Sequence, residues 1–250
     1  MLEVKTVTAG YGRKEILHGI SACFERGNLT CIVGPNGCGK STLLKATLGI
    51  LQPTAGTVSL DGEDLSGMHK TAVAKRIAYL AQGKSVPDMT AGQLVLHGRF
   101  PHLHYPRRYT ARDRSIAFSA MERMGIADHA GTPMSALSGG MRQKVWIAMA
   151  LAQDTGYILL DEPNTYLDIA HQLDLMRLLR ELAGDGKGIV AVMHDLPMAL
   201  TFSDRITVMR EGGIIMSGSP KEICGSGVLT ELFGVSVCQD SETGDYFYRY

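Results

Sequence analysis

The stretch that most constrains this chain is Gly34-Pro35-Asn36-Gly37-Cys38-Gly39-Lys40-Ser41-Thr42. It fits glycine, four free positions, then Gly-Lys-Ser/Thr, the pattern of a loop that cradles phosphate. The apolar residues 29–33 lead in as a strand, and Thr42-Leu43-Leu44-Lys45-Ala46 leads out as a helix. Gly34, Gly37 and Gly39 let the backbone fold tightly, so successive N–H groups converge on phosphate oxygens. The following helix N-terminus adds its own donors and its dipole. Lys40 supplies positive charge for the β- and γ-phosphates, and the Ser41 hydroxyl is a natural Mg²⁺ ligand. Together these residues predict a nucleoside triphosphate site.

Composition narrows the setting. The 250 residues suffice for one large domain or a core with an insertion, and 45% hydrophobic residues allow a sizeable core. The 25 basic and 25 acidic residues cancel, which gives no electrostatic reason to expect nucleic acid as a partner. The five cysteines are odd in number and irregularly spaced, as befits a reducing cytosol rather than a disulfide framework or zinc site. Residues 1–5 lack the charged start and apolar block of a signal peptide, and no apolar run approaches the ~18 residues of a spanning helix. The chain is expected to be soluble by itself, with any membrane role supplied through a partner.

Hydrophobic patterning predicts strands over 2–8, 16–24, 29–33, 56–61 and 77–80, the last delivering Gln82. Between 83 and 156 the pattern turns helical. Thr90 is a candidate N-cap, 101–108 reads as loop, 112–124 as helix, and Ser138 as the cap of a third helix. Residues 157–160 and 189–193 read as buried parallel strands around a helix over 168–183, and 206–217 as a hairpin. The predicted fold is α/β: a nucleotide-binding core over 1–82 and 157–218, an inserted helical subdomain over 83–156, and a tail over 219–250.

Asp161 and Glu162 end a buried parallel strand, where ligands bind in open α/β sheets. Asp161 is placed to hold Mg²⁺, directly or through water, and Glu162 to orient or deprotonate the attacking water.

Leu137-Ser138-Gly139-Gly140-Met141-Arg142-Gln143, just upstream of that strand, resembles the signature of the ATP-binding subunits of ABC transporters. Ser138 and the Gly139–Gly140 N–H groups at a helix start suit a second phosphate site. The resemblance implies a RecA-like phosphate-loop ATPase core with an N-terminal antiparallel β part. It also implies a head-to-tail dimer, in which Ser138 of one copy meets the γ-phosphate held by the other. Further positions match the family in order. Tyr11 resembles the aromatic that stacks on adenine, and Gln82 the glutamine that reaches Mg²⁺ and the attacking water. Asp168 resembles the aspartate of the loop at the dimer interface, and His194 the histidine that contacts the γ-phosphate. Two positions depart from the pattern: Met141 stands where Gln is usual and Asn164 where Thr is usual, which bears on turnover rate more than on the reaction.

Gly98-Arg99-Phe100-Pro101-His102 and Leu167-Asp168-Ile169-Ala170-His171-Gln172 resemble the bacterial importers of iron–siderophore complexes, haem and cobalamin. The first lies where that family docks a membrane subunit. The resemblance implies ATP and Mg²⁺ as cofactors and, as partners, a second copy and two copies of a polytopic permease. It further implies, indirectly, an extracytoplasmic binding protein and a place on the cytoplasmic membrane face. His97, His102 and His104 lack a carboxylate or cysteine to complete a metal site. Arg107, Arg108, Arg112 and Arg114 read as a solvated face, and Cys38 as a small space-filling residue. The alternative is a soluble ATPase of the same superfamily acting on DNA or ribosomes. Its DNA-directed types insert a long coiled coil between the nucleotide motifs, and no heptads separate Lys40 from Asp161 here. A phosphate-loop kinase would have no need of Ser138-Gly139-Gly140.

Overall fold

The computed structural model describes every residue except Lys84 and Tyr250, so the last residue of the closing aromatic run lies outside the described residues. In chain order, β1 (Leu2–Tyr11), β2 (Lys14–Phe24), β3 (Leu29–Val33), α1 (Lys40–Thr47), β4 (Ala55–Leu60) and β5 (Glu63–Asp64) come first. Then follow α2 (Lys70–Ala74), β6 (Ile77–Leu80), α3 (Ala91–His97), α4 (Ala111–Arg123), α5 (Gly139–Ala152), β7 (Tyr157–Asp161) and α6 (Ile169–Gly184). The chain closes with β8 (Gly188–Val192), α7 (Leu196–Phe202), β9 (Arg205–Arg210), β10 (Gly213–Gly218), α8 (Pro220–Gly225), α9 (Val228–Phe233), β11 (Ser236–Gln239) and β12 (Tyr246–Arg249).

Two compact units emerge, one of residues 1–68 with 176–250 and one of residues 69–175. In the first, β2, β1, β4 and β5 form an antiparallel sheet. Beside it β3 pairs in parallel with β8 and β9, and β10 folds back antiparallel on β9. Every residue of β3 and β8 is buried. That accounts for their continuous apolar runs, since a strand covered on both faces has no polar side to show.

In the second unit β6 and β7 pair in parallel, from Ile77 opposite Tyr157 to Leu80 opposite Leu160. The helices α3, α4 and α5 pack on one another. Thr90 and Thr110 start α3 and α4 with reciprocal caps to Gln93 and Asp113. Ser138 caps α5 by accepting the Met141 N–H at 3.2 Å. This unit is wider than the helical block at 83–156, because β6 and β7 bond to each other and travel with the helices between them. The short α2 and α7 and the tail elements α8, α9, β11 and β12 add to the elements that patterning predicts. A single 3₁₀ turn over Phe100–His102 tightens the start of the loop at 101–108.

Candidate functional site

In the first unit the phosphate loop joins β3 to α1. Gly37 and Gly39 take φ of 78° and 106°, left-handed values that favour glycine. A Cβ on Gly34 would lie 2.3 Å from the Met209 carbonyl oxygen, so only glycine lets the loop pass β9 there. The Lys40 side chain is buried, and its ammonium donates to the carbonyls of Gly34 at 2.7 Å and Pro35 at 3.0 Å. It is thereby folded back over the loop's own cradle. The helices α3, α4 and α5 all begin on a capping threonine or serine, whereas α1 begins on Gly39 with no side-chain cap. A helix N-terminus built without its own anion substitute suits a phosphate. Pro35 and Asn36 form the rim, Cys38 is buried beneath it with its thiol pKa raised by that burial, and Ser41 and Thr42 open α1. The residues present thus fit a nucleotide's phosphates.

Tyr11 ends β1 with half its surface exposed, and the Lys45 ammonium lies 6.0 Å from its ring centre. A flat face at that position is open for stacking. His194 lies two residues past the end of β8, after buried Met193, and is exposed.

In the second unit Asp161 is buried at the end of β7 and accepts the Tyr79 hydroxyl at 3.4 Å. The Gln82 side-chain amide donates to the Glu162 carboxylate at 2.7 Å, so two residues eighty positions apart meet. Glu162 sits at φ 52°, and the Thr165 hydroxyl donates to its carbonyl at 3.1 Å. Backbone strain at a carboxylate beside a pocket is a recurrent mark of functional sites. The pocket, about 530 Å³, is lined by Gln82, Asp161, Glu162 and Gly139 together with Trp146 and Tyr166. Within this unit the side-chain oxygens of Gln82 and Asp161 are of the hard type that Mg²⁺ takes, as is the Ser41 hydroxyl in the first.

Ser138 is exposed beside Gly139 and Gly140. A Cβ on Gly140 would come within 3.3 Å of the Tyr166 carbonyl, so the glycine keeps the helix start close to the loop after Glu162. Asp168 caps α6, accepting the His171 N–H at 2.9 Å and pairing with the His171 ring at 2.8 Å. Those two bonds, the backbone one first, lower its pKa. At the departures from pattern, Met141 offers its backbone N–H to the Ser138 cap, and the Asn164 carbonyl accepts the Leu167 N–H at 3.2 Å and the Gln172 side-chain amide at 3.4 Å.

Patterning does not single out Tyr79, Trp146, Thr165 or Tyr166, which surround the named residues. Gln143, inside the signature stretch, is buried and donates to the Pro163 carbonyl at 2.7 Å. The stretch 98–102 turns largely inward. Arg99 is buried, bonding Asp113 at 3.0 Å and the Ala152 carbonyl at 3.0 Å, and His102 bonds the Gln153 carbonyl at 2.9 Å. Among the described residues no group of three or more His, Cys, Asp or Glu is gathered as for a metal, and no helix is long and apolar enough to cross a membrane.

The ABC transporter family model matches residues 17–165. The chain belongs to the ABC transporter ATP-binding family. Like the rest of that family it is an ATPase. This ABC ATPase is 41% identical over 236 residues to the ferric enterobactin transport ATP-binding protein of Escherichia coli (strain K12), covering 94% of this chain and 87% of that one. It is equally 41% identical to the iron(3+)-hydroxamate import ATP-binding protein of Bacillus subtilis (strain 168), covering 94% and 88%. Among solved structures, an inward-facing metal-chelate type ABC transporter superposes with a TM-score of 0.83 at 26% identity. That match covers 100% of this chain and 97% of that one.

Proposed function

We propose that this ABC ATPase powers a bacterial importer of an iron–siderophore complex or a related metal chelate such as haem or cobalamin. The observation that carries this reading is the 41% identity, across 94% of the chain, with subunits named for ferric enterobactin and iron(3+)-hydroxamate. In this reading residues 1–82 and 157–218 work as the nucleotide core, 83–156 as the coupling subdomain, and 219–250 as the tail.

Each ATP is bound by the loop Gly34, Pro35, Asn36, Gly37, Cys38 and Gly39 with Lys40, Ser41 and Thr42, while Tyr11 stacks on adenine. Ser138, Gly139 and Gly140 of the second copy close over the γ-phosphate, with Asp168 at the interface. Ser41, Gln82 and Asp161 would hold Mg²⁺, which would supply positive charge to offset that of the phosphates. Glu162 takes the proton of the attacking water, Gln82 holds that carboxylate in place, and His194 contacts the γ-phosphate. Closure of the dimer moves two docked permease subunits at the cytoplasmic membrane face, and hydrolysis resets them. An extracytoplasmic binding protein delivers the cargo.

The test is to trap Glu162→Gln with ATP in native membranes and identify what purifies with it. A polytopic membrane protein is the expected partner. A ribosome or a nucleic-acid complex instead would reject the importer reading.

A further inference from the structure

We propose that the Tyr248 hydroxyl is a positioning group for His194, acting through the first turn of α7. The proposal rests on the reading of His194 as the γ-phosphate contact. The backbone on both sides of His194 is anchored. Before it, buried Met193 donates its N–H to the Ile32 carbonyl of β3 at 3.0 Å. After it, Asp195 caps α7 by accepting the Met198 N–H at 2.8 Å. The Leu196 N–H is one of the first-turn donors that a helix cannot satisfy internally. It donates to the Tyr248 hydroxyl at 3.3 Å.

The hydroxyl sits on a braced platform. Tyr246 and Tyr248 alternate along β12 with Phe247, which points outward with 47% of its surface exposed. The two tyrosines therefore share the strand face turned to α7. The Tyr246 N–H donates to the Thr201 hydroxyl on α7 at 3.1 Å, so β12 grips the helix near both ends. Its neighbour β11, with Val237 opposite Tyr248, accepts the Cys224 thiol of α8 at the Val237 carbonyl, 3.2 Å away. The terminal hairpin is thus a brace whose innermost contact falls two residues from His194. It gives the closing aromatic run a part in hydrolysis without touching nucleotide, which makes Tyr248 a positioning residue.

The experiment is steady-state ATPase kinetics on the full chain for wild type, Tyr248→Phe, His194→Ala and the double variant, with thermal midpoints alongside. Tyr248→Phe removes the hydroxyl that accepts the Leu196 N–H, so kcat should fall about three- to tenfold while KM for ATP and the thermal midpoint stay near wild type. In the His194→Ala background the same change should cost nothing more, because its effect runs through His194. A wild-type kcat for Tyr248→Phe, or a further loss of equal size in the double variant, would overturn the proposal and leave the His194 reading standing. A wild-type rate in His194→Ala alone would overturn the reading of His194 and this proposal with it.

Discussion

Glu162 carries the sharpest expectation at the scale of single residues. Its backbone sits at φ 52°, its carbonyl is held by Thr165, and its carboxylate receives the Gln82 amide at 2.7 Å. A glutamine at this position keeps the shape and the backbone conformation but loses the base. Glu162→Gln should therefore slow phosphate release by on the order of 10²–10⁴ while ATP affinity by titration is retained. Unchanged steady-state turnover would remove Glu162 from that role. The residues of the phosphate loop were legible in the sequence because their chemistry is contiguous: glycines, lysine and hydroxyls in one short run make one cradle. Tyr79, Thr165 and Tyr166 were not, since each matters only through a neighbour that folding brings up. No spacing rule announces that a tyrosine in β6 will bond an aspartate in β7. Gln143 lies between these cases, visible inside the signature stretch but with its partner, the Pro163 carbonyl, hidden until the loop is folded.

At the scale of elements, the stretch 98–102 joins three helices. A Cβ on Gly98 would lie 2.2 Å from the Met149 carbonyl, so α3 ends in backbone contact with α5. Gly98→Ala should force the two helices apart and cost about 1–3 kcal/mol, read as a lower urea midpoint with unchanged slope. Arg99 then ties the end of α3 to Asp113 in the first turn of α4 and to the last carbonyl of α5. The Thr110 hydroxyl and N–H, and after them Arg99, outweigh the opposing effect of burial and push the Asp113 pKa down to about 2 from 3.8. A carboxylate whose pKa is depressed on folding contributes stability above its unfolded value and loses it as pH falls toward the folded one. The advantage of wild type over Asp113→Asn in denaturant should thus be full at pH 5. It should shrink by on the order of 1–2 kcal/mol on going to pH 2. A pH-independent difference would contradict the pairing. The buried strands and the Thr90 and Ser138 caps were legible because each carries a local signal. The five-residue α2 and seven-residue α7 are too short to show a helical period. The tail did hold a readable mark: Ser219 and Glu222 form a reciprocal cap at the start of α8, three positions apart.

At the scale of the whole molecule, sequence order hides which segments move together. The strands β6 and β7 are separated by three helices yet pair residue for residue, so the compact unit at 69–175 extends beyond the helical pattern on both sides. This unit carries Ser138 on an exposed helix start, while the phosphate loop with Lys40 belongs to the other unit. Two nucleotides sandwiched between two copies would together use both kinds of site twice. Slowing hydrolysis by Glu162→Gln should therefore let ATP accumulate the closed pair, seen by sedimentation as a shift from one copy to two on adding ATP with Mg²⁺. Adding Ser138→Arg would place a bulky cation where the proposed sandwich has the second copy's serine, beside Gly140, which runs close to the Tyr166 carbonyl. The double variant should bind ATP as one copy with affinity within about threefold of Glu162→Gln, since Lys40 and its loop are untouched, yet fail to pair at any ATP concentration. Pairing that survives Ser138→Arg would move the second phosphate site elsewhere on the molecule. Lost ATP binding by the single copy would mean instead that Ser138 serves its own copy's nucleotide, and the head-to-tail arrangement would fall.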